Sequence, residues 1–407
     1  MPMSNIVDSK AFLKTFKETL IAFSFDVGGL LAGFLVALQL GVFQLSPWAI
    51  AIYPAIVSAK GVIGGLLSGR LSTALHIGTI YPRFFKNTES FYKLYSALIV
   101  VTFLTSIVMS LFSLIFGFLF WGISFTDFSA ILVVIVSTMT LGLTITLATM
   151  AVAFVTFKKG LDPDVVVYPI MSTTADIFIT IIYVLVLNLF FLASNFGMYT
   201  LVFICSIPII LMIYIIPRNI NCKEFVNTVK ESLFTMLFVT IIVNVTGTVL
   251  KKISGIVEDR REIYTVYPAL IDLVGDVGSV VGSTATTKLA LGMLKPSISS
   301  IKQHKTQIFS AWLASVLYFV LLGVLSLSIN GIFSSFEFLN LVSVLLIANV
   351  IAVTAIILVS YAISILTFQK GLDPDNFVIP IESSFADSMT SIALLVALFL
   401  VGSLLGG

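Results

Sequence analysis

Apolar blocks of about 20 residues or more fill this chain, and nothing else constrains its fold as strongly. They fall at roughly 19–45, 47–80, 94–122, 126–157, 166–193, 198–217, 231–250, 265–294, 307–330, 337–367 and 377–404. Each can cross a bilayer as an α-helix, and the longer ones imply tilt or extension into the cytosol. Charged residues make up 10% of the chain, hydrophobic residues 58%, and the mean hydropathy is +1.13. That is too little charge to coat a soluble core of this size, and disorder fails for the same reason. The net charge of +2 excludes a nucleic-acid field, so the expected surroundings are a lipid bilayer. Cys205 and Cys222 make no metal or disulfide framework, and His76 and His304 form no zinc motif. Residues 1–17 carry Lys10, Lys14 and Lys17, and the apolar stretch that follows is too long for a signal peptide, so it is expected to be the first span.

Basic residues orient the spans. With the N-terminus in the cytosol, 17 of the 22 Lys and Arg residues fall in inner segments. Four, Lys251, Lys252, Arg260 and Arg261, fall outside beside Glu258, Asp259 and Glu262, and Lys60 lies within a span. Eleven spans then leave the C-terminus outside, in a multi-pass protein expected in the cell membrane.

The chain is duplicated. Lys159–Asp176 reads KGLDPDVVVYPIMSTTAD and Lys370–Asp387 reads KGLDPDNFVIPIESSFAD, with 12 of 18 positions identical at an offset of 211. Tyr53–Ile80 matches Tyr267–Leu294 at 8 of 28 positions, offset 214. Lys17-Glu18 matches Lys230-Glu231 at offset 213. The expected organisation is a short cytosolic N-terminus (1–18), a first five-span repeat (19–195), a linker with one extra span (196–228) and a second five-span repeat (229–407). An odd number of spans would invert the second repeat, and the extra helix at 198–217 restores it. The fold class is therefore an all-α polytopic membrane protein of about 11 spans, two parallel five-helix repeats joined by one helix. An axis along the membrane normal relates them, as in a homodimer fused into a single-chain pseudo-dimer.

Carboxylates in hydrocarbon cost several kcal/mol unless paired, hydrated or bound to metal, and they mark function by default. Asp26, Asp176, Asp272, Asp276 and Asp387 lie well inside spans. Asp176 and Asp387 sit about 15 Å into their helices, near the midplane, and Asp272 and Asp276 enter about 12 and 18 Å from the other side. These four carboxylates can share one depth, and Asp272 and Asp276, four residues apart, lie on one helix face. Glu382 precedes Asp387 by about a turn and a half. Ser172, Thr173, Thr174, Ser383 and Ser384 could add neutral oxygens. An all-oxygen site suits a hard divalent cation such as Mg²⁺ or Ca²⁺, and facing carboxylates at the repeat interface could hold Mg²⁺ through its waters. The ion is cargo, and no resident cofactor is expected.

Other features have plainer roles. Asp162-Pro163 and Asp373-Pro374 are helix starts, and with Asp164 and Asp375 they would ring the cytosolic mouth with negative charge. Glycines at 61, 64, 65 and 69, and at 275, 278 and 282, are expected packing positions. Lys60 is expected to pair with an intramembrane aspartate and to act in the pore or gate. Arg70 reads as a snorkelling anchor, and the 35 phenylalanines as lipid-facing bulk. The second spans differ: Asp272 and Asp276 stand where the first repeat has Ser58 and Val62, and Lys60 aligns with Val274.

The Gly-Leu-Asp-Pro before each fifth span, followed by Ser172-Thr173-Thr174-Ala175-Asp176 and Ser383-Ser384-Phe385-Ala386-Asp387, resembles the membrane domain of MgtE-type magnesium transporters and channels. Tyr53-Pro54 with Gly61, and Tyr267-Pro268 with Gly275, resemble that family's second span. Two five-span units in one chain are similar to its animal solute-carrier branch. The resemblance implies magnesium or related cation transport, with Asp176 and Asp387 at the ion site. Where the family has Gly-Asn, this chain has Gly61-Val62 and Gly275-Asp276. The main rival is a Na⁺- or H⁺-coupled secondary transporter of another small solute. A remoter one is an intramembrane aspartyl protease, suggested by Gly275-Asp276 and Pro268-Ala269-Leu270, whose two elements here crowd into one span.

Overall fold

The computed structural model describes the backbone of residues 3–159, 163–370 and 374–405; side chains are described for these except 3–11, 14, 62, 65, 66, 68, 69, 72, 73, 76, 163–170, 224, 231, 235, 290, 374–381, 404 and 405. Every regular element among them is helical. In chain order these are α1 (Met3–Phe23), a 3₁₀ turn (Asp26–Gly28), α2 (Gly29–Leu38), α3 (Leu40–Phe43), α4 (Pro47–Ala51), α5 (Tyr53–Ile77) and α6 (Glu89–Phe116). Then follow α7 (Phe128–Lys158), α8 (Pro163–Phe191), α9 (Ser194–Asn219), α10 (Lys223–Val257), α11 (Arg261–Ala290), α12 (Lys305–Ile329), α13 (Ser335–Gln369) and α14 (Pro374–Leu405).

Ten helical stretches among the described residues are long and apolar enough to cross a membrane. The second apolar block, realised as α5, is not among them although it runs for 25 residues. Lys60, Arg70 and its many glycines and serines lower its hydropathy, and helices on several sides bury it instead: Ile56, Ile63, Leu67 and Leu71 are fully covered.

Local signals place the breaks. The first block is interrupted at Asp26–Gly28, where a 3₁₀ turn separates α1 from α2. Thr88 caps α6 by accepting from the Phe91 amide at 3.4 Å. Gly78 closes α5 in the left-handed region (φ 79°), its amide bonding back to the last turn. In the first repeat the helix is broken at Ile52 and Pro54 starts α5; in the second, α11 runs through Pro268 from Arg261.

The chain forms two compact units, Met1–Leu38 with Lys252–Gly407, and Gln39–Lys251. They depart from the sequence repeats in the leading spans. In the first unit, α2 lies along α11 and α1 along α12. Gly29 and Gly33 permit this: a Cβ on Gly33 would overlap the Thr265 carbonyl oxygen, and one on Gly29 would come within 2.8 Å of the Ala269 Cα. In the second unit, most of α10, the leading span of the other repeat, packs beside α4 and α6. A Cβ on Gly247 would overlap the Ala51 carbonyl oxygen. Ser113 donates to Asn244 at 3.0 Å, and the Trp121 indole to Thr248 at 2.9 Å. The two close approaches are equivalent, since Gly33 and Gly247, like Ala51 and Thr265, are 214 positions apart.

Two expectations are corrected. Phe23, Phe43 and Phe319 are fully buried among neighbouring helices, so the phenylalanines are not all lipid-facing. Arg70 does not simply snorkel; its guanidinium donates to the Thr228 hydroxyl and ties α5 to α10.

Candidate functional site

The acidic face of the first unit is built by α11, α13 and α14. Asp272 and Asp276 lie a turn apart on α11, and Asp276 interacts electrostatically with Asp272 and with Glu382 of α14. Glu382 is buried, and the Ser360 hydroxyl of α13 donates to its Oε1 at 2.6 Å. The same oxygen rests where a Cβ of residue 278 would stand, so Gly278 lets the carboxylate lie flush against α11. One turn further along α14, Ala386 sits 3.7 Å from a Cβ built on Gly275. Asp387 follows, 6% exposed, on the stretch where Ser384 is also buried. Below it the Ser391 hydroxyl donates to the Asp387 carbonyl at 2.7 Å and meets the Tyr267 hydroxyl at 2.7 Å, fixing α14 against α11.

The second unit repeats this frame with different charges. Asp176 on α8 is 7% exposed, and Ser172 and Thr173 precede it, half-buried. The Tyr53 and Thr180 hydroxyls meet at 2.9 Å, the counterpart of the Tyr267–Ser391 pair. Lys60 is 2% exposed on α5. Its stem passes Gly142 of α7, with Cδ 3.8 Å from a Cβ built there, and Ile179 of α8 lies against the same glycine. Its Nζ has no hydrogen-bond partner among the described residues, so the expected ion pair with an aspartate is not formed among them.

The structure thus brings Asp272, Asp276 and Asp387 into one unit, with Ser383 and Ser384, and places Asp176, Lys60, Ser172 and Thr173 in the other. Among the described residues no three His, Cys, Asp or Glu side chains converge as a direct metal-ligand cluster. Asp162, Asp164, Asp373 and Asp375, the expected acidic mouth, lie outside the residues whose side chains are described. Of the glycines expected to be packing positions, Gly278 is one, whereas Gly61 and Gly64 face open space. Glu382 belongs to the acidic face yet is absent from the expected ligand set. The signal for it is the repeat alignment, which sets this carboxylate against Met171.

No curated protein matches the chain. Among solved structures, the crystal structure of the eukaryotic MATE transporter AtDTX14 matches at 12% identity over 96% of each chain, with a TM-score of 0.32, too low to bear on fold or function. The MgtE family, described as divalent cation transporter, matches twice, at residues 53–186 and 267–397. Each match opens on a Tyr-Pro, runs through four helices, and ends beyond Asp176 or Asp387; the site carboxylates lie on α8 in the first and on α11 and α14 in the second. With both halves matched over most of its length, the chain belongs to the MgtE family of divalent cation transporters in a tandem form.

Proposed function

We propose that the cation carried is Mg²⁺, and that Asp176 in one repeat and Asp272, Asp276 and Asp387 in the other are the carboxylates it meets. The observation that carries this reading is the matched burial of Asp176 and Asp387, 7% and 6% exposed at repeat-equivalent positions with Ser or Thr side chains just before them. A carboxylate retained twice at such depth is costly unless a cation visits it. The neighbouring side chains offer oxygen and neither imidazole nor thiolate, which favours a hard ion. Mg²⁺ sheds its waters reluctantly. Carboxylates spread along helix faces suit an ion that keeps part of its hydration shell.

Purified protein in liposomes loaded with a magnesium-sensitive dye is expected to admit Mg²⁺ down its gradient. Liposomes that stay closed to Mg²⁺ and to other divalent cations, yet take up a small organic solute with Na⁺ or H⁺, would replace this reading with the secondary-transporter one. The basic residues further support a cell-membrane protein with its N-terminus in the cytosol and its C-terminus outside. Cysteines introduced at Ser4 and Ser403 are expected to label from opposite sides, and labelling of both from one side would overturn the eleven-span arrangement.

A further inference from the structure

We propose that residues 291–305 form a binding surface for anionic phospholipid of the cytosolic leaflet. The choice of leaflet rests on the orientation proposed above, and the affinity for anionic lipid is tested without it.

The sequence sets the charge. Between Asp276 and Glu337 there is no acidic residue, and Lys288, Lys295, Lys302 and Lys305 all fall in that stretch. Lys288 is engaged: its ammonium donates to the Gln307 side chain at 2.7 Å and lies 3.3 Å from Nδ1 of His304. Lys295, Lys302 and Lys305 are exposed and meet no carboxylate among the described residues. Three positive charges within eleven residues therefore face outward uncompensated.

Length sets the depth. α11 runs to Ala290, 25 residues beyond the edge of its apolar block at Thr265, or about 37 Å at 1.5 Å per residue. The hydrocarbon core is about 30 Å thick. The segment after α11 thus emerges at the level of the headgroups, and α12, with 25 residues of its own, is long enough to cross back.

The structure makes this segment an ordered platform. Gly292 turns the chain in the left-handed region (φ 70°), and a 3₁₀ helix follows over Ile298–His304. One side is pinned. Leu294 and Ser300 are buried, and the Ser300 hydroxyl meets the Tyr361 hydroxyl of α13 at 2.7 Å. His304 is fully buried; its Nε2–H donates to the Val281 carbonyl of α11 at 3.2 Å and lies 3.0 Å from the Thr284 hydroxyl. The same segment presents Leu291, Met293 and Ile298 outward, 68%, 65% and 59% exposed. Apolar side chains and ammonium groups together at headgroup depth have one common partner: the former enter the acyl boundary while the latter meet lipid phosphate. A free anion would meet the lysines and leave the three apolar side chains in water.

The test titrates purified full-length protein in dodecyl maltoside, by thermophoresis, with dioctanoyl phosphatidylserine, dioctanoyl phosphatidylcholine and inorganic phosphate. Wild type is expected to bind the serine lipid roughly tenfold or more tightly than either of the others, with an affinity that falls as salt rises. Lys295→Gln, Lys302→Gln and Lys305→Gln are each expected to weaken that binding about fivefold, and the triple variant about a hundredfold. Lys223→Gln with Lys230→Gln removes two exposed charges in the other unit, each next to a glutamate, and is expected to leave binding unchanged. Ile298→Ser keeps every lysine and is expected to weaken the serine lipid severalfold without altering inorganic phosphate. All the substituted side chains are exposed, so the variants are expected to melt with the wild type. Equal binding of the two lipids by wild type, a triple variant that binds like wild type, or an equal loss in the Lys223 and Lys230 variant would overturn the surface. Inorganic phosphate that binds as tightly as the serine lipid, with no effect of Ile298→Ser, would overturn it in favour of a simple anion site.

Discussion

Gly33→Ala and Gly247→Ala are each expected to lower the melting temperature of the purified protein sharply, and Gly255→Ala is expected to leave it unchanged or raise it. Two effects compete at any helical glycine. Alanine is the better helix former by about 0.8–1.0 kcal/mol, which favours the substitution. Against that stands the space the methyl group must occupy. At Gly33 it would overlap the Thr265 carbonyl oxygen, and at Gly247 the Ala51 carbonyl oxygen. Neither obstacle is a flexible side chain. Each is backbone, so a whole helix has to move and the contacts along it are lost. Overpacking of this kind costs about 1–3 kcal/mol and sometimes more, and a backbone obstacle puts these two sites at or above the upper end. The cost exceeds the propensity gain severalfold, and it is a large share of the roughly 5–15 kcal/mol by which folded proteins are stable. Gly255 lies on the same helix as Gly247, with nothing within 4 Å of a built Cβ, so only the propensity term acts there. A Gly33→Ala protein that melts with the wild type would mean that α2 does not sit this closely on α11.

These glycines also mark what could and could not be read from the sequence. Apolar block length alone indicates an all-helical membrane protein, because no other structure buries stretches of that kind. The duplication is visible because Lys159–Asp176 and Lys370–Asp387 match without a gap. Which leading span packs with which set of helices is not visible, because similarity between repeats records descent and not contact. Gly33 and Gly247 become informative only when Thr265 and Ala51 are found beneath them. The acidic residues are legible as a set, since each costs too much in hydrocarbon to be incidental. Glu382 is harder to read as a ligand, because the repeat sets it against Met171 and no second carboxylate marks the position. Its role depends on Gly278 and Ser360, which lie 104 and 22 positions away in sequence. The Lys60 environment is hidden for a related reason. Its stem passes Gly142 of α7, 82 positions away in sequence, and its Nζ finds no hydrogen-bond partner among the described residues.

The two repeats are expected to contribute unequally to cation binding, with the second dominant. Asp276→Asn should weaken Mg²⁺ binding, measured by calorimetry on purified protein, by roughly a hundredfold or more, and Val62→Asn by much less. The reason is charge. The second repeat places Asp272 and Asp276 on α11 with Glu382 facing Asp276 from α14, whereas the equivalent positions of the first repeat hold Ser58, Val62 and Met171. At an effective dielectric near 20 and a separation of several ångströms, one carboxylate charge acting on a divalent ion is worth a few kcal/mol. Each 1.4 kcal/mol is about a factor of ten in affinity. The asparagine at 276 keeps nearly the same shape and leaves an oxygen to face the ion, so the change isolates the charge. Glu382→Gln extends the test, because the glutamine carbonyl still accepts from Ser360 and only the negative charge is lost. Asp387→Asn should abolish most flux, since it removes the carboxylate that both repeats retain at this position. Adding an amide at 62 supplies no charge and creates no partner for one, so its effect is confined to local packing and hydration. Equal losses of affinity in Asp276→Asn and Val62→Asn would show that the surplus of carboxylates in the second repeat does not set where the ion binds.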